Sequence, residues 1–125
     1  MIKTVSLETA KALRNAGFKK ECDFTWEFRH PIKADDGDGW ELFHRSRFLN
    51  LANRYGVFSP TTDELLEELP KELKGNDLAI RFNGTIGWEI GYENKYFQYE
   101  EYVNSQSLCE AVAQMYLFLA KEGLL

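Results

Sequence analysis

The chain has 125 residues, 44% hydrophobic and 14% aromatic, with 20 acidic against 15 basic side chains and a net charge of −5. That length fits one domain, and such a chain can bury about two-thirds of its unfolded surface without disulfide or metal support. The mild acidic excess argues against general nucleic-acid binding, which needs a basic face, and the ring content argues against disorder.

Two cysteines, Cys22 and Cys109, stand far apart in sequence and make neither a disulfide framework nor a zinc set. The opening residues lack the order of a secretory leader. The longest apolar stretch, around Tyr116 to Ala120, is too short to cross a bilayer. The expectation is a cytoplasmic protein with free thiols, no cofactor and no membrane partner.

Taken in chain order, the first element is a helix. Ser6 can cap it, Glu8 suits the positive end of its dipole, and Gly17 with Phe18 supplies its end. Leu7, Ala10, Leu13 and Ala16 or Gly17 form one narrow apolar face. Phe24, Trp26 and Phe28 then alternate with Thr25, Glu27 and Arg29, a period of two that puts three rings on one face of a strand ended by Pro31. The stretch from Trp40 to Arg45 alternates again, which makes a long-looped hairpin with the first strand. Between Phe48 and Phe58 the apolar residues fit neither period.

Thr61 and Glu64 have capping-box spacing at the head of a second helix, which buries Leu65, Leu66 and Leu69, and Pro70 ends that helix or begins a turn. Leu78 to Phe82 reads as a strand running into Asn83-Gly84, the preferred pair for a tight hairpin because both central residues take positive φ. The returning strand sets Ile86, Trp88, Ile90 and Tyr92 on one face. Gly87 and Gly91 lie on the other, a flat backbone that invites a helix. Glu93-Asn94-Lys95 turns the chain, and Tyr96 to Val103 forms a further strand. Ser107 and Glu110 repeat the capping-box spacing before a stripe of Leu108, Val112, Met115 and Leu119, and Gly123 ends that helix. The sum is an α+β domain over residues 1–125. An antiparallel sheet of four or more strands is packed by about three helices, as two layers or as an α-β-α sandwich.

The segments Lys3 to Glu8, Ala16-Gly17-Phe18, Pro60 to Pro70, Ile90 to Glu93 and Ala111 to Leu125 resemble small phage and prophage proteins of the α-β-α-sandwich kind. The resemblance covers both ends and the second half, and it is poor between Asp23 and Phe58. It implies an accessory protein of a mobile element with an α/β sandwich fold, and it brings no catalytic residues.

Several groups can be weighed as sites. Asp35-Asp36-Gly37-Asp38-Gly39 has the look of a calcium loop, but placing either glycine at the sixth position leaves Ala34 or Ile32 where the first ligand belongs, so it reads as a solvated turn. Arg29, His30, His44, Arg45 and Arg47 are the one basic concentration and form the candidate anion or nucleotide site, with His30 and His44 brought together if the two strands pair. Cys109 lies near a helix start, where a thiolate is favoured, yet beside the buried stripe, so core packing is its expected role. Tyr96, Phe97, Tyr99 and Tyr102 form the candidate interaction surface. With no acid–base pair, metal set or phosphate loop, the expected function is non-catalytic binding of a protein partner or of a second copy. The alternative is sequestration of a small nucleotide or anion.

Overall fold

The computed structural model describes residues 3–28, 40–44, 56–96 and 99–125. Helix α1 (Leu7–Asn15) opens where the Ser6 side chain accepts from the Thr9 N–H. It closes at Gly17, whose φ of +99° is cheap only for glycine, and the Phe18 N–H then donates to the Leu13 carbonyl at 2.9 Å as the ring is buried. Helix α2 (Thr62–Glu67) has the full reciprocal box. Thr61 accepts from the Glu64 N–H, and the Glu64 carboxylate accepts from the Thr61 N–H. Its second oxygen accepts from the Asp23 N–H at 3.0 Å and ties the helix to a distant segment.

Helix α3 (Leu108–Lys121) corrects one expectation. Ser107 does accept from the Glu110 N–H, but the Ser107 N–H donates to the Ser105 hydroxyl instead of to Glu110. The Glu110 carboxylate crosses to α1, where it accepts from the Ser6 N–H and from the Thr9 hydroxyl, both at 2.7 Å. One acidic side chain thus serves the N-terminal turns of two helices at once.

The described strands form two antiparallel sheets. In the first, β1 (Phe24–Phe28) lies between β2 (Trp40–His44) and β3 (Gly56–Phe58). The second runs in chain order through β4 (Glu72–Leu73), β5 (Asn76–Asn83), β6 (Gly87–Glu93) and β7 (Tyr99–Ser105). The α+β class therefore holds, with the strands divided between two sheets.

Helix α3 packs on β6, β7, α1 and α2 and so organises the core. Ile90 and Tyr92 of β6 are fully buried in one cluster with Val112, Met115 and Leu119 of α3. The helix therefore covers the side-chain face of β6, not the glycine face. Each fully buried side chain of this kind contributes about 1.5–3 kcal/mol, whereas bare backbone offers a helix little apolar area. Gly91 pairs across with Tyr102, which stays exposed on the opposite face. Tyr92 also keeps its hydroxyl satisfied, donating to the Pro70 carbonyl at 2.7 Å.

In the first sheet, Val57 is buried beside α1, and Trp26 donates its indole N–H to the Val5 carbonyl at 3.1 Å. The most enclosed positions of β1 are polar. Thr25 is 0% exposed and Glu27 2%, and the Thr25 hydroxyl donates to the Glu27 carboxylate at 2.5 Å.

The turns also differ from expectation. Asn83 pairs with Gly87, so Gly84, Thr85 and Ile86 make a three-residue turn, and neither Asn83 nor Gly84 takes positive φ. The Asn83 side chain instead accepts from the Thr85 N–H at 2.9 Å. The left-handed residue is Gly87, with φ +91°. Ile86 thus sits in the turn and not on the strand face with Trp88. The two-residue turn with two positive φ values lies between β4 and β5, at Lys74 (+54°) and Gly75 (+83°). Tyr96 likewise falls in the β6–β7 turn, before its strand begins.

Candidate functional site

Of the basic group, His44 is described. It ends β2 opposite Phe24, exposed, with ring centroids 4.8 Å apart and tilted by 32°. Phe28 pairs with Trp40 at the other end of the same ladder, and from there the chain continues to Arg29. Arg29, His30, Arg45 and Arg47 lie outside the described residues, as does the acidic stretch Asp35 to Gly39.

Both cysteines are buried. Burial, foremost, pushes the Cys22 thiol far above its ordinary range, helped by the Glu64 carboxylate nearby. Burial likewise pushes Cys109 up to about 11. Its sulfur lies 3.6 Å from the Pro60 carbonyl inside the α3 core. A thiol held protonated in this way is a small hydrophobe and a poor nucleophile. Among the described residues, no three His, Cys, Asp or Glu side chains gather as a metal site would require. No described helix is long and apolar enough to cross a membrane. A shallow cleft of about 410 Å³ opens beside Glu68, Leu69, Pro70, Tyr116 and Leu125, and the Glu68 carboxylate already meets Lys20 at 3.7 Å.

The tyrosine surface is spread out. Tyr96 is 68% exposed in the turn, where Lys95 Nζ lies 5.2 Å from its ring centre and its N–H donates to the Asn94 side chain. Tyr102, 57% exposed, stands on the face of β7 that points away from α3. The Tyr99 backbone pairs with Glu93 after a register shift; its side chain, like Phe97, is outside what is described.

The structure adds a surface that the strand pattern hides. Ile80, Phe82 and Ile86 are all exposed, Phe82 to 63%, around the outer end of β5. The Phe82 ring meets Trp88 edge-on at 5.0 Å. Leu78, Ile80 and Phe82 share a face with Tyr92, Ile90 and Trp88, their partners in β6, so alternation marks all of them as inward. Helix α3 packs on β6 and β7, and cover runs out toward β5. The signal in the sequence is the nearness of Lys74-Gly75 to Pro70, which leaves room for two residues of β4 against eight of β5.

Set against protein-family models, curated proteins and solved structures, the chain matches none.

Proposed function

We propose that this protein is a non-catalytic binding module, an accessory protein of the phage kind, that works through an exposed apolar surface on its four-stranded sheet. The observation that carries the reading is Phe82, a ring left 63% exposed beside exposed Ile80 and Ile86. Large rings at a strand edge add contact area at low entropic cost, and contiguous exposed apolar groups mark interaction sites. Buried, protonated thiols support a surface role over thiol chemistry.

The test compares wild type with Phe82→Ser and with Tyr102→Ser. Self-association is read by sedimentation, and partner binding by capture from bacterial lysate. Binding of either kind should fall in Phe82→Ser while far-UV circular dichroism stays unchanged. A wild-type protein that is monomeric and captures nothing overturns the reading.

A further inference from the structure

We infer that the outer edge of β5 pairs with the same edge of a second copy of this chain. The inference rests on the binding reading above and names the partner. Strand β4 covers β5 only at Asn76 and Asp77, and the Lys71 carbonyl accepts from the Leu78 N–H at 2.9 Å. Alternate residues of a strand aim their main-chain groups to the same side. Ile80 and Phe82, two and four residues beyond Leu78, therefore aim N–H and C=O away from β6. No strand among the described residues meets them. An edge of this kind, with exposed apolar side chains, is a template for another strand.

One two-fold register pairs the open residues Ile80 and Phe82 only with each other. A two-fold antiparallel approach centred on Ile80 sets Phe82 against Leu78 of the second copy, whose N–H is already held by Lys71. Centred on Arg81, the approach sets Ile80 against Phe82 twice. Four main-chain hydrogen bonds then form, and the exposed side chains cover each other on the face that α3 leaves open. The two Arg81 side chains come opposite one another, a like-charge pair. Each guanidinium, however, is turned inward onto Glu93 of its own sheet, so a neutralised pair faces its copy. The result is an isologous contact and one continuous sheet that runs β7-β6-β5 into β5-β6-β7 of the second copy, with each β4 kept at the start of its own β5. A strand pair alone buries less than the roughly 1,200 Å² of a stable interface, so the dimer is weak and forms toward millimolar concentration.

Sedimentation of the full chain from micromolar to millimolar concentration should show a reversible monomer–dimer equilibrium. Ile80→Lys should abolish it; if that variant misfolds, Phe82→Ser gives the same reading at a more exposed position. Under mild oxidation, Arg81→Cys should form a symmetric disulfide dimer, because residues facing each other in a non-hydrogen-bonded antiparallel pair are about 4.5 Å apart at Cα. Ala79→Cys, which faces Asn83 in this register, should not cross-link, and the native thiols are buried. A monomer at every concentration overturns the inference. So does a dimer indifferent to Ile80→Lys, or one that cross-links equally through Ala79→Cys. A monomer that still captures a lysate protein, lost in Ile80→Lys, overturns the second copy and leaves the binding reading standing. A monomer that captures nothing overturns both.

Discussion

Strands β6 and β1 bury opposite kinds of side chain. In the four-stranded sheet, Ile90 and Tyr92 point into the α3 core, and the polar and glycine positions of β6 face away. In the three-stranded sheet, Thr25 and Glu27 are the buried pair of β1, while Phe24 and Trp26 on the other face are only half-buried. Both strands alternate equally well in sequence. A period of two therefore tells which residues share a face, and it does not tell which face lies inside. That choice belongs to whatever packs on the sheet.

The comparison is sharpened most by removing the apolar side. Ile90→Ala leaves a cavity under α3 and should cost about 2–5 kcal/mol in urea unfolding. A loss below 1 kcal/mol would mean that the four-stranded sheet does not hold its core as the burial of Ile90 indicates. Backbone matters nearly as much in this sheet. A Cβ on Gly87 would sit 2.5 Å from the Ser105 carbonyl, at a residue with φ of +91°. Gly87→Ala should cost about 2–3 kcal/mol. Gly84→Ala, with open space around it, should stay within about 0.5 kcal/mol. Equal effects at the two glycines would contradict the three-residue turn.

The polar side is probed next. Thr25→Val keeps the shape and removes the hydroxyl that donates to Glu27, so it should cost about 1–3 kcal/mol. In a Glu27→Met background the same change should cost much less, because no buried acceptor remains. Additive costs would show that the pair does not act together.

Alkaline pH tests the core that both sheets share. Burial raises Cys109 from 9.0 to about 11 and Tyr92 from 10.0 to about 12. A raised folded pKa means that the native state holds its proton more tightly than the unfolded chain does. The associated stability is complete below pH 9 and is lost as pH climbs toward 11 and 12. Urea midpoints should therefore fall across that window, and Cys109→Ala should make the fall shallower in its lower part, where the buried Cys22 thiol still contributes. A midpoint constant from pH 9 to 11 would place these groups in water.

Local signals were legible in the sequence. The Ser6, Thr61 and Ser107 caps and the Gly17 and Gly123 ends appear where the spacing puts them, because each depends on a few neighbouring backbone groups. What depends on distant chain was not legible. Glu110 has box spacing from Ser107, yet its carboxylate is taken by α1, 104 residues away at Ser6. The glycine face of β6 looked like a helix seat until α3 took the side with more area to bury. The exposed end of β5 was hidden because Ile80 and Phe82 obey the same alternation as the buried Ile90. Of the basic candidates, His44 alone lies among the described residues.

The smallest effect separates two turns that the dipeptides rank the wrong way round. Asn83-Gly84 has the favoured composition for a turn with two positive φ values, and Lys74-Gly75 is the pair that adopts it. The reason is length. Pro70 ends the run after α2, Leu73 and Asn76 must pair, and only two residues remain to reverse the chain. Lys74, at φ +54°, has the left-handed backbone that costs a side-chain-bearing residue roughly 1 kcal/mol. Glycine at that position removes the steric cost but gives the unfolded chain more freedom. Lys74→Gly should therefore stabilise the protein by only about 0.5 kcal/mol, and Lys74→Asn, which tolerates the same backbone, should do as well or slightly better. A loss of stability in both variants would mean that Lys74 does not hold a left-handed conformation in solution, and that β4 meets β5 through some other turn.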